Sequence, residues 1–201
     1  MSEKNPKTLP HPMPAEAKGD VCVAIAATVG NAHELREMLA AGCNPNATFF
    51  ELRQTPLTMA VKRGNLACVE MLAPLTNAHS ADLRGMTALH YAAWAGMDKM
   101  AEILVPLSDV NQRCMLGRPP AFYALTIGRS ERVAKVLRLL VDADWDLEME
   151  SGETLLDFAQ SRGWQDIASE VLERKCLREA EQISKEGTIL EAGSRIGPKR
   201  L

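Results

Sequence analysis

Aromatic side chains are scarce in this 201-residue sequence: four Phe, three Trp and two Tyr make up 4% of it. A core must therefore be filled by Ala, Leu, Val and Met, which suits thin helical layers, and the 46% hydrophobic content is enough for a continuous one. Long apolar runs are missing. None approaches the roughly 18 residues needed to cross a bilayer, so no membrane partner is expected. The first twenty residues, MSEKNPKTLPHPMPAEAKGD, hold no hydrophobic segment, so no secretory signal is expected there. A basic excess is also missing. Lys and Arg number 23 against 26 Asp and Glu, for a net charge of −3, which removes the general electrostatic reason to expect nucleic acid as a partner. The five cysteines (Cys22, Cys43, Cys68, Cys114, Cys176) form no CxxC and no metal-ligand spacing. They are expected to be reduced thiols in a cytoplasmic protein, with no metal and no cofactor. No Gly-rich phosphate loop appears.

What is there is a repeat. Residues 85 to 111 read GMTALHYAAWAGMDKMAEILVPLSDVN. Thr87 can cap a helix that closes at Gly96. A second helix then sets Met97, Met100, Ile103 and Leu104 on one side, and Pro106 stops it. So small a helix-turn-helix unit cannot bury its own apolar face and needs copies on either side. The closing glycine recurs as Gly30, Gly64, Gly96, Gly128 and Gly163, at intervals of 34, 32, 32 and 35 residues. Thr55-Pro56-Leu57-Thr58-Met59-Ala60 and Thr87-Ala88-Leu89-His90-Tyr91-Ala92 carry a T-P-L-H-x-A signature with one or two changes each, at a period of about 33.

On these residues the sequence resembles the ankyrin-repeat family. The resemblance implies an all-α solenoid of five helix-turn-helix repeats with short β-turn-like tips. Its repeats would lie at about 20–50, 51–82, 83–114, 115–149 and 150–185. A disordered tail is expected over 1–18 and a flexible one over 186–201, after a long, charged last helix from Gln165 to about Lys185. Prolines at 74 and 106 replace the family's glycine stop, and Pro119-Pro120 replaces Thr-Pro in the fourth unit.

Catalysis requires a nucleophile, base or metal converging in one place. His90 and Cys114 are the candidates, but His79 and Cys114 lie in turns of different repeats with no orienting acid visible, and no enzyme is expected. The resemblance gives His90 a structural role, hydrogen-bonding around the Thr of the repeat turn. It places partner binding on the concave side of the first helices and on the turn tips. The positions that follow are Phe49 and Phe50; Lys62 and Arg63; Leu83, Arg84 and Met86; Trp94; Met115, Leu116 and Arg118; and Ile127. Gln54 joins the tip positions. Apolar Phe, Leu and Met stand at tips where Asp or Lys would be unremarkable. Trp94 reads as an aromatic anchor, since Trp, Tyr and Arg are enriched in binding hot spots; its alternative is a ring laid back as packing over an adjacent first helix. Trp145 and Trp164 read as local packing. Together with Trp94, the basic residues suggest a partner offering acidic and apolar groups. The expected function is protein–protein binding by a monomer, as an adaptor or scaffold, or alternatively as a dedicated 1:1 inhibitor of an enzyme or toxin.

Overall fold

A computed structural model describes residues 15–48, 53–149 and 152–194. They form ten α-helices in five consecutive pairs. The first helices of the pairs are α1 (Ala15–Val29), α3 (Pro56–Arg63), α5 (Ala88–Trp94), α7 (Pro120–Thr126) and α9 (Leu155–Ser161). The second helices are α2 (Ala32–Ala40), α4 (Leu66–Leu72), α6 (Asp98–Leu104), α8 (Glu131–Leu139) and α10 (Gln165–Ser194). First helices pack on first helices along the series, α1 on α3, α3 on α5, α5 on α7 and α7 on α9. Second helices stack likewise, giving two layers. Among the described residues there is no strand, and an isolated antiparallel β-bridge joins Glu148 to Thr154.

Local chemistry explains the helix ends. Thr55 accepts from the Thr58 N–H at 3.2 Å, and Pro56 follows at the first helical position, where its missing N–H costs nothing. Thr154 and Asp157 form a reciprocal capping box at the start of α9. Gly30, Gly64, Gly96 and Gly163 all take left-handed φ angles after their first helices. Gly128 does not. There α7 stops at Thr126 and Ile127 is extended, so the fourth unit closes without the expected glycine turn. The prolines also differ from expectation. Pro74 and Pro106 each sit inside a 3-10 turn, Ala73–Leu75 and Val105–Leu107, that continues the helix before it. A ring without an N–H tightens the last turn there rather than stopping it outright.

The tips at Asp82–Met86 and Cys114–Arg118 are tight turns pinned by backbone bonds. Asp82 N–H donates to Met86 O at 3.0 Å, and the next tip repeats this from Cys114 to Arg118, also at 3.0 Å. The two tips join where Met115 N–H donates to Arg84 O at 2.9 Å. Repeats are also clamped between helices. The Asn65 side chain donates to Ala27 O at 2.8 Å and Thr28 O at 2.9 Å, satisfying carbonyls at the end of α1. The core is one continuous cluster running from Val23 to Val171.

Both ends of the array depart from the sequence reading. Helix α1 begins at Ala15, inside the stretch expected to be disordered. Helix α10 runs to Ser194, past the expected end near Lys185. It docks through Ile167, Ala168 and Val171, which are buried, and through ion pairs of Arg129 with Asp166, Arg138 with Glu170, Lys175 with Asp146 and Arg178 with Asp142, while Arg174 pairs with Glu170 within the helix itself.

Candidate partner-binding site

The first-helix layer carries five of the seven described Phe, Tyr and Trp residues. Tyr91 and Trp94 lie one helical turn apart on α5, with ring centroids 6.3 Å from each other. Trp94 stands 6.3 Å from Tyr123 of α7. Tyr123 contacts Phe122 edge-on at 5.8 Å, and Phe122 stacks on Phe158 of α9 at 4.9 Å. The row thus crosses three successive first helices. Its members differ in exposure: Tyr91 and Phe122 are buried, Tyr123 is half-buried, and Trp94 is 50% exposed. Cations cap the buried rings. Lys62 Nζ lies 5.1 Å from the Tyr91 centroid and the Arg118 guanidinium 4.6 Å from that of Phe122. The Arg162 guanidinium sits 5.0 Å from Phe158, so the rim is a set of cation–π contacts.

Beneath the row lies a buried carboxylate. Asp82 Oδ2 accepts from Tyr91 Oη at 2.6 Å and from Gln54 Nε2 at 3.3 Å. Asp82 Oδ1 accepts from the Arg84 N–H at 2.9 Å and the Met86 N–H at 3.1 Å. Burial pushes the carboxyl's pKa up, but the donors from Tyr91, Met86, Arg84 and Gln54 outweigh it and hold it below the ordinary value. Burial together with that hydrogen bond to Asp82 raises the Tyr91 phenol. Tyr123 is pushed up to about 12 by burial and by its contact with Cys114 Sγ at 3.2 Å. Both phenols therefore stay neutral and hold fixed orientations under the open face.

His90 is fully buried; its Nδ1 accepts from the Thr87 N–H at 3.1 Å and its Nε2 lies 3.2 Å from Arg118 O. Burial lowers its pKa to about 4, against the raising effects of Arg118 O and Asp82. It ties one tip to the next, the structural role expected of it. Among the described residues no group of three or more His, Cys, Asp or Glu side chains could hold a metal ion, and no helix is long and apolar enough to cross a membrane.

The family description "Ankyrin repeats (3 copies)" matches residues 23–114. Those residues belong to the ankyrin-repeat family. The chain is also similar to alpha-latrotoxin-Lg1a of Latrodectus geometricus, 34% identical over 83 residues. That match covers 40% of this chain and 6% of the toxin, so the chain spans a small part of that relative's length. Ankyrin repeats generally mediate protein–protein interactions and are typically non-enzymatic.

Within the ankyrin array the expected contact residues divide sharply. Lys62, Arg63, Leu83, Arg84, Trp94, Met115 and Leu116 are exposed, Met115 at 75%. Met86 is buried at 4% and cannot serve as a surface contact: it follows Gly85, whose left-handed turn directs it into the core. Ile127 is half-buried and packs against the core, because the extended backbone after α7 turns it inward. Arg118 is half-buried, its guanidinium over Phe122. Gln54 is buried, holding Asp82 and accepting from Lys62 Nζ at 3.2 Å. Phe49 and Phe50 lie outside the described residues. Trp145 and Trp164 are buried as expected, Trp145 donating to Leu140 O at 3.1 Å. The sequence reading missed Tyr91 and Tyr123 as the walls of Trp94. The signal was present, since they stand one 32-residue repeat apart at the same place in their units.

Proposed function

We propose that the ankyrin array is an adaptor that binds a partner protein across the open face of its first helices and the adjoining tips. The observation that carries this reading is Trp94, half exposed between Tyr91 and Tyr123. An indole held by neighbouring rings loses little freedom on binding, and exposed Leu83, Met115 and Leu116 extend the apolar surface at adjoining tips. The rigid repeat stack below presents it without reorganisation. An adaptor needs a second surface. Leu75 and Leu107, equivalent exposed positions in the two 3-10 turns that follow α4 and α6, support a second one there.

The test is an affinity pulldown with the parent and Trp94→Ala in parallel, read by mass spectrometry, with circular dichroism confirming that both are folded. A stoichiometric partner lost from the variant supports the reading. Identical partner lists from two folded proteins refute it. An adaptor additionally yields a ternary complex by sedimentation, whereas a single 1:1 complex that silences an enzyme points to an inhibitor.

A further inference from the structure

Two groups of basic side chains in this chain have opposite fates. At the C-terminal end, Arg129, Arg138, Arg174, Lys175 and Arg178 are each engaged by an Asp or Glu of the chain. Around the aromatic row, Lys62, Arg63, Arg84 and Arg118 form no ion pair among the described residues. The chain as a whole is acidic, at −3, so carboxylates are not in short supply; they are placed elsewhere. Asp82, the acid at the centre of this face, is buried and has both oxygens occupied by internal donors. It fixes the row from beneath, and its oxygens are taken by those donors instead of pairing with the cations above.

We propose that this face receives an extended acidic segment of the partner, with one large apolar side chain seated on Trp94 and carboxylates on both sides of it. The proposal rests on the adaptor reading and adds the chemistry of the ligand. Distance sets the spacing. Trp94 is linked to Lys62 through Tyr91 by contacts of 6.3 and 5.1 Å. It is linked to Arg118 through Tyr123 and Phe122 by contacts of 6.3, 5.8 and 4.6 Å. An extended chain advances about 3.3 Å per residue, so the acidic groups fall within about three to five residues of the anchor. A carboxylate also fits better than a nucleic-acid phosphate. Leu83, Met115 and Leu116 offer nothing to a sugar-phosphate backbone, and four cations on an acidic protein do not make a continuous basic track.

The probe is a phage-displayed library of random peptides of about twelve residues, long enough to span the row, selected on the intact protein at low ionic strength. Selected peptides are expected to be rich in Asp and Glu around one large apolar residue. Synthesised, they are expected to bind at least about tenfold more weakly to Lys62→Glu/Arg84→Glu, and to weaken as salt shortens the Debye length below about 10 Å. Lys62→Gln/Arg84→Gln replaces that variant if charge reversal lowers the melting temperature. Neutral or basic winners, no winners, or acidic winners indifferent to both charge variants overturn the proposal. So does an oligothymidine of similar length that binds more tightly than every selected peptide. Winners lost on Trp94→Ala but not on charge reversal overturn the acidic ligand alone and leave the adaptor face standing. Winners indifferent to every variant overturn both.

Discussion

Acid should unlock this array at one histidine. His90 is buried and neutral, with Nδ1 accepting from the Thr87 N–H and Nε2–H donating to Arg118 O. A proton on Nδ1 removes the acceptor and sets a charge on a fully buried ring that lies edge-on to Tyr123 at 5.8 Å. In the folded protein the group titrates at about 4 against an ordinary 6.5, so the unfolded chain takes up the proton first. Its stabilising contribution is therefore complete above about pH 6.5 and is lost as pH falls toward 4. That difference corresponds to about 3 kcal/mol, most of it gone by about pH 4.5. Asp82 does not interfere, because its carboxyl is held below 3.8 and stays charged across this window. The assay is urea denaturation by far-UV circular dichroism at about pH 7 and pH 4.5, comparing the parent with His90→Asn. The variant starts lower, since it leaves a void and unmade bonds. Between the two pH values the parent should lose about 2–3 kcal/mol more than the variant. Equal losses would refute the argument.

Other perturbations test separate joints of the structure. Gly85→Ala puts a Cβ 2.8 Å from Met115 N at a φ of +72°. It should cost well over the roughly 1 kcal/mol of left-handed strain alone, whereas Gly117→Ala, at +67° with open space around it, should cost about that much; similar melting temperatures would sink the tip-to-tip clash. Gly96→Val should destabilise by about 2 kcal/mol or more, since a branched residue resists φ of +61° and Val133 lies 3.0 Å from the added Cβ; an unchanged urea midpoint would count against it. Asp82→Ala strands Tyr91 Oη and two backbone N–H groups and should cost about 3 kcal/mol, with increased amide exchange at Arg84 and Met86 as the local readout. Because partly exposed ion pairs help to dock α10, raising salt to about 0.5 M should speed amide exchange at Gln165–Arg178 more than in α5; an equal response in both would refute that contribution.

What could be read from the chain alone is what neighbouring residues decide between themselves. Thr55-Pro56 at the start of α3, the Thr87–His90 pair, and the left-handed Gly64, Gly96 and Gly163 all act over three or four residues. The 32-residue interval then multiplies them into an array. Gly128 shows where this stops: its spacing is right, but Ile127 takes an extended backbone and its glycine is not left-handed. Stacking decided the rest. Gln54, Asp82 and Tyr91 meet although 28 to 37 residues separate Gln54 from its partners, and Trp94 finds Tyr123 only because α5 lies on α7. Met86 and Trp94 carry similar promise as letters; one is buried and the other half exposed, because only a neighbouring repeat determines which side of a turn or helix is covered. Local backbone chemistry specifies each unit, and the exposed aromatic face belongs to no unit by itself.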